Sequence, residues 1–369
     1  MKTSQPERLL SLDVMRGITI AGMILVNNPG SWSYMYAPLR HAAWDGLTPT
    51  DLIFPFFMFM MGVSMFFSLR KYHFQWSRES VEKVLKRTAL LFLVGLGINA
   101  FGQSCYEGAI HFETLRILGV MQRLALAYGF GSLICLAVNH KYLLPIATSL
   151  LLFYATLLGL TDSLSQTTDN IIAVVDRALL GESHMYLDYM PDGSRIVFDP
   201  EGLLSSIGSI AHVLLGCYAG KIITENRQDT GSILQKLSLL GTILLFAGLL
   251  LQYGCPINKR LWSSTFVLAT CGFGSLLLSL LIWQIDVRRK REGTAFFESF
   301  GVNPLFLYVQ SDVLAILASL TGLTHYVCQE VFTPLFGPYG GSLAWSLLFV
   351  GINWIPAYML HKKKIFIKL

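Results

Sequence analysis

A histidine, a tryptophan and two carboxylates stand close together in LRHAAWDGLTPTDLIFPFF, residues 39–57: His41, Trp44, Asp45 and Asp51. An imidazole can take or give a proton near neutrality, and a carboxylate can hold it in one tautomer. Such a pair makes a general base for group transfer. Each residue also has a plainer reading. A lone loop histidine is commonly only solvated, and Trp44 suits an interfacial aromatic belt. Asp51, three residues after Thr48 with Pro49 between them, suits the capping box of a helix start. Pro55 falls inside the apolar run that follows and predicts a kink there.

Other polar residues interrupt apolar stretches. In SLDVMRGITIAGMILVNNPG, Asp13 and Arg16 are three apart and can pair on one helix face. Arg16 and Asn27 are eleven apart, so they share a face about 16 Å apart along the axis. Arg16 also reads as a snorkelling anchor, and Asn27 as a helix C-cap before Pro29-Gly30. Gln122 and Arg123 lie in RILGVMQRLALAY, where a guanidinium can receive phosphate or pair with another helix. Asn258, Lys259 and Asn303 sit at helix starts, where capping is the bland account. His212 reads as an interhelical histidine, and Asp312 is a second carboxylate in an apolar run.

The elements that must position these residues are membrane spans. Of 369 residues, 53% are hydrophobic and only 14% charged, with a mean hydropathy of +0.53. Soluble domains carry about 25% charged residues. Apolar runs long enough to cross a ~30 Å hydrocarbon core recur at 12–30, 50–69, 84–103, 117–138, 142–160, 203–222, 234–252, 262–284, 302–320 and 342–360. The pattern predicts an all-α polytopic membrane protein of about ten transmembrane helices, organised as one domain over 1–369. With both termini cytoplasmic, 21 of the 28 basic residues fall inside and 7 outside, as the positive-inside rule requires. The formal charge of +5 is therefore an orientation signal and does not point to nucleic acid. Residues 1–9 are polar and no small-residue cleavage site follows the first run, so that run reads as a retained span.

An acidic segment at about 161–202 is expected outside. Loops of this length are often functional, for instance as a lid, and its PDGSRIVFDPEG stretch could frame a hairpin. The six cysteines form no CxxC pair and read as free thiols, with an outer Cys105–Cys255 or Cys255–Cys328 bridge left open. There is no GxxxxGK[ST], HExxH, GxSxG or GxGxxG, and no metal-spaced cluster, so no metal is expected. On these residues alone, an enzyme, a transporter of a small anionic or sugar substrate, and a structural subunit all stay open.

Taken together in order, the stretches quoted above with HAAWDGLTPTDLIFPFFMFMMGVSM, DPEGLLSSIGSIAHVLLGCYAGK, PINKRLWSSTFVL and GVNPLFLY resemble the transmembrane acyltransferase family of heparan-α-glucosaminide N-acetyltransferase. The resemblance covers about 8–360, and its HAxW–GLT–D–FP signature is specific. The chain looks like a compact bacterial form without the large N-terminal lumenal domain. The resemblance implies transfer of acetyl from cytosolic acetyl-CoA to an exoplasmic amino sugar or oligosaccharide, in a cytoplasmic (inner) membrane. It implies His41 as the catalytic histidine, with Asn27 and Asp51 beside it. Arg16, Gln122 and Arg123 would line the acetyl-CoA path, and Trp44, Asn258 and Asn303 would meet the acceptor. A homodimer in the bilayer is compatible with such a chain. His41 would act as general base in a direct transfer, rather than carry an acetyl-imidazole that water would hydrolyse.

Overall fold

The computed structural model describes residues 9–190 and 193–367. Lys2, Arg8 and Lys368, counted above among the inner basic residues, and Pro191 and Asp192 of the acidic segment lie outside the described residues.

The first half of the chain forms α1 (Leu10–Asn27), α2 (Ile53–Arg70), α3 (Arg78–Glu107), α4 (Val120–Ala137) and α5 (Leu143–Leu160). The acidic segment contributes α6 (Ile171–Leu180) and a hairpin of β1 (Leu187–Tyr189) and β2 (Arg195–Val197), with Asp188 opposite Ile196. Then come α7 (Ser206–Glu225), α8 (Thr230–Leu251), α9 (Ser264–Leu281), α10 (Thr294–Val302), α11 (Pro304–Leu320), α12 (Leu323–Tyr326) and α13 (Thr333–Lys362).

Among the described residues, nine helices are long and apolar enough to cross a bilayer. The α10–α11 pair, bent by 87°, makes a tenth span if it is counted as one. The protein is an all-α polytopic membrane protein. Alternation of successive spans collects Leu10, Arg70, Arg78 and Lys362 at one end of the bundle, here the basic end. Asn27, Asp51, Val120 and Ser264 then lie at the other, which the acidic segment covers, here the lid end. All six cysteines are free thiols.

Two expectations from the sequence change. The run at 302–320 is the straight part of a broken span. Asn303 stands at the break and Pro304, which cannot donate to a preceding turn, opens α11. Pro55 does not interrupt a helix interior. Pro49–Leu52 form a 3₁₀ turn and α2 begins at Ile53, so Pro55 sits in the first α-helical turn, where its missing N–H has no helical partner to lose.

Side-chain packing around α2, α4, α7 and α9 makes the main core, with Met58, Phe59, Met121, Val213 and Phe266 fully or nearly buried. Lipid offers apolar side chains no reason to leave it, so spans associate through close backbone approach. The α1–α10 crossing is the tightest example. A Cβ on Gly17 would stand 1.7 Å from the Phe297 carbonyl oxygen, and one on Gly301 would stand 1.8 Å from that of Asp13. These contacts fix the rotation of α1 and hence the face that carries Arg16. Gly17→Ala is expected to cost about 3 kcal/mol or more, the upper range for overpacking. Gly97→Ala, with nothing within 4 Å of its Cβ position, is the tolerated control. Thermal unfolding of the detergent-solubilised protein compares the two.

Candidate active site

Asp51 organises the lid-end site. Its side chain is 1% exposed and both oxygens are occupied. Oδ1 lies 2.6 Å from His41 Nδ1. Oδ2 accepts from the backbone N–H groups of Ala42 (3.1 Å) and Thr48 (3.1 Å) and from the Thr48 hydroxyl (2.9 Å). The two readings of Asp51 are therefore not alternatives. One oxygen closes the turn that starts the second span, and the other holds the imidazole. With Nδ1–H donating to Asp51, Nε2 is the bare nitrogen, and the His41 side chain is 43% exposed.

A lysine completes the group. Lys259 Nζ stands 3.1 Å from His41 Nδ1, 3.3 Å from Nε2 and 3.7 Å from Asp51 Oδ1. Burial pulls its ammonium below the ordinary lysine value, against the opposing pull of the Asp51 charge. Asn258 and Arg260 fix this loop on either side of Lys259. Asn258 is fully buried, donates to Asp45 Oδ1 (3.1 Å) and accepts from Leu261 N–H (2.9 Å). A backbone bridge joins Asp45 to Asn258, and Gly46 N–H donates to the Ile257 carbonyl at 2.8 Å. Asn258 thus ties the His41 loop to the Lys259 loop and has its side chain committed there. Arg260 pairs with Asp188 in the hairpin.

Trp44 reaches outward. Its indole N–H donates to the Leu164 carbonyl at 2.9 Å, and its ring meets Phe198 edge-on at 5.6 Å. It pins the acidic segment over the site. Arg116 does the same from the α3–α4 loop. It grips Asp199 with two nitrogens, at 2.7 and 3.0 Å, and Glu201 at 2.8 Å. Burial, the largest single effect, pulls the Arg116 pKa down, but the two carboxylates together outweigh it and hold it above its ordinary value.

The basic end has a second feature. A cavity of about 620 Å³ is lined by Arg16, Ser64, Lys71, Lys83, Lys86 and Arg87 among others. Arg16 donates to Asp13 (2.8 Å) and to the Ser64 hydroxyl (2.9 Å). An adjoining cavity of about 640 Å³ shares Arg16 and Lys71 and adds Arg70 and Arg227. A separate apolar cleft of only about 20 Å³ shares Phe57, Leu124 and Leu305 with the first cavity and is lined by Thr19, Ile20, Met23, Ile53, Phe54 and Met121 among others. Ile53 and Phe54 directly follow the 3₁₀ turn that holds Asp51. Asn27 is exposed at the last residue of α1, one turn beyond Met23. The capping role falls to Asn28, whose side chain donates to the Ile24 carbonyl.

The remaining sequence candidates go elsewhere. Gln122 and Arg123 are on the first turn of α4, at the lid end and away from the basic cavity. The buried Arg123 guanidinium donates to Ser205 Oγ, lies 3.4 Å from the Gly202 carbonyl and stacks 4.9 Å from the Trp262 ring. Gln122 packs where a Cβ on Gly95 would come within 2.4 Å of its Oε1. Their neighbours Met121 and Leu124 line the cleft instead. Asn303 donates to the Ile365 carbonyl (2.9 Å) and accepts from Ile367 N–H (2.7 Å), so it clamps the C-terminal tail beside the basic cavity. His212 donates from Nε2 to the Pro55 carbonyl at 2.9 Å and bridges two helices. Asp312 lies on α11 one turn from Tyr308.

Fold and site define a polytopic membrane protein with a histidine–carboxylate–lysine group at one face and a basic cavity at the other. Residues 8–191 match the family described as "Heparan-alpha-glucosaminide N-acetyltransferase, catalytic". The chain is 28% identical to heparan-alpha-glucosaminide N-acetyltransferase of Mus musculus, over 100% of this chain and 61% of that protein. It is also 28% identical to the Homo sapiens protein of the same name, over 99% and 60%. The chain belongs to this family, and it spans about three-fifths of the length of these relatives.

The acidic segment gives a pH test of the lid. Asp176 Oδ1 accepts the N–H groups of Leu203 (3.0 Å) and Leu204 (3.1 Å). Burial first, and the nearby Asp199 charge second, push its pKa from 3.8 up to about 6. A carboxyl raised on folding favours the folded segment when protonated. That contribution is full below about pH 4 and is lost as pH rises through about 6. The ratio of proteolysis rates within 161–202, wild type over Asp176→Asn, is expected to rise across this window and stay flat above it.

Proposed function

We propose that the chain is a transmembrane acetyltransferase. It takes acetyl from acetyl-CoA at the basic, cytoplasmic end and passes it to a glucosamine-type amine of an amino sugar or oligosaccharide at the lid end, in a cytoplasmic membrane. The observation that carries this reading is one face of α1. Arg16, Ile20, Met23 and Asn27 recur at helical spacing, from the basic cavity, along the cleft, to the level of the histidine site. The relatives named N-acetyltransferase support the same class.

The residues divide the work by chemistry. Arg16, Lys71, Lys83, Lys86 and Arg87 suit the phosphates of a CoA head group. The cleft suits an uncharged arm about as long as the ~16 Å from Arg16 to Asn27. At about 20 Å³ it admits that arm only when flexible linings such as Met23 swing aside. At the lid end, His41 Nε2 takes a proton from the acceptor amine as its nitrogen attacks the thioester carbonyl carbon. Asp51 keeps the imidazole in the tautomer this needs and steadies its charge. The carbonyl electron pair moves onto oxygen, to which the Asn27 amide would donate. Return of that pair breaks the carbon–sulfur bond. The imidazolium returns the proton to the departing thiolate, giving the amide and CoA thiol.

His41→Ala is expected to keep CoA binding and lose transfer by about a hundredfold or more. Near-normal transfer would remove His41 from the reaction. Met23→Trp, which plugs the cleft, should also leave CoA binding intact while abolishing transfer. Lys83→Glu with Lys86→Glu should weaken CoA binding itself. Calorimetry with CoA and an acetylation assay separate the three.

A further inference from the structure

We propose that Lys259 is a further catalytic residue of this site: its ammonium donates to the thioester oxygen as that oxygen becomes negative during attack by the acceptor. The inference rests on the acetyl-transfer reading above and adds a participant that the histidine–carboxylate pair does not supply.

The geometry separates Lys259 from an ordinary partner of His41. Nδ1 is already committed to Asp51 at 2.6 Å, so it has no lone pair to offer. A hydrogen bond along the Nε2 lone pair would place Nζ much farther from Nδ1 than from Nε2. The observed distances, 3.1 Å to Nδ1 and 3.3 Å to Nε2, are nearly equal. The ammonium therefore lies beside the edge between the two nitrogens or over the ring. The direction in which Nε2 must meet the acceptor proton stays clear. A cation within about 3 Å of the base, yet off its line of attack, is placed for the charge that develops one bond away from the attacked carbon.

The ammonium is also held rather than free. Asp51 Oδ1 is 3.7 Å away, too long to absorb its donors. Asn258 and Arg260, the residues on either side, are anchored to Asp45 and to Asp188. A lysine on a long stem gains positional precision from such anchors, and a fixed donor needs no reorganisation when charge appears. The charged groups that act on it are Asp51 from the start of α2, Glu201 from the acidic segment and Arg260 beside it. With burial lowering its proton affinity, the ammonium form is lost at a pH below that of a free lysine.

The transfer step then balances without any added reagent. The nitrogen–carbon bond forms as the carbonyl electron pair moves to oxygen beside Lys259. His41 holds the amine proton. The pair returns, the carbon–sulfur bond breaks, and the thiolate takes the proton. Lys259 keeps its own protons throughout.

The test uses the purified full chain with acetyl-CoA and glucosamine. Lys259→Met is expected to lower kcat by about a hundredfold, the usual effect of removing one such donor, with CoA binding and KM for glucosamine nearly unchanged. In the wild type, kcat should fall on the alkaline side as the ammonium deprotonates. Lys259→Met should lack that fall, and Lys259→Arg should restore at least tenfold of the loss and move the fall to higher pH. The inference is overturned if Lys259→Met keeps kcat within threefold of wild type. It is equally overturned if kcat drops but the alkaline fall persists and arginine rescues nothing, since that marks a structural role. His41→Ala, assayed alongside, separates the two levels. If the wild type itself does not acetylate glucosamine, the acetyl-transfer reading fails. If His41→Ala is inactive and Lys259→Met is normal, only the lysine assignment does.

Discussion

A buried carboxylate serving two masters sets the geometry of this molecule. Asp51 gives one oxygen to the His41 imidazole and the other to three donors in the turn that begins the second span. The histidine is thereby tied to the helix that forms one wall of the cleft. A loop side chain with 43% exposure would otherwise wander through several rotamers. Replacing either function of Asp51 disturbs the other, because a buried carboxylate left with unpaired oxygens costs far more than the hydrogen bond removed. Across from it, Asn258 locks the lysine loop to the same turn through Asp45.

The rest of the bundle supplies distance. The α1 helix runs from a basic cavity to the level of His41, with its rotation set where Gly17 and Gly301 bring two backbones together. The electrostatics are segregated accordingly. Cations crowd the basic end, while the lid end balances Arg116 and Arg260 against Asp199, Glu201 and Asp188. On the proposed function, a polyanionic donor would be drawn to the first end, and a sugar amine would meet a hydrogen-bonding surface at the second. The acidic segment, pinned by Trp44 and Arg116, lies over the histidine site.

Much of this is legible in the sequence. Span number, the capping role of Asp51 and the Asp13–Arg16 pair follow from hydropathy and helical spacing, which are local. The hairpin in the acidic segment was legible for the same reason. What the sequence hides is which helix ends share a face of the bundle. Gln122 and Arg123 look like phosphate ligands in isolation. Yet α4 starts at the lid end, so its first turn cannot serve the basic cavity. Asn303 reads as a helix start, and its tail-clamping role depends on a residue about sixty positions away. Lys83, Lys86 and Arg87, which the charge count reads as orientation signals, recur with Leu90 and Leu91 at helical spacing along one cavity wall. That periodicity was available, but nothing local distinguishes a ligand-binding basic face from a snorkelling one. Lys259 reads in the sequence only as a helix-start residue, because its contact with His41 spans 218 positions.

The central claim is that donor and acceptor meet through one protein from opposite faces of the membrane. Sealed proteoliposomes with the protein in a single orientation test it most directly. Labelled acetyl-CoA is supplied only on the basic side and glucosamine only on the lid side, and N-acetylglucosamine is measured on the lid side. The account predicts labelled product that depends on His41 while the vesicles stay impermeable to CoA. Product formed only when both substrates share one side would contradict it.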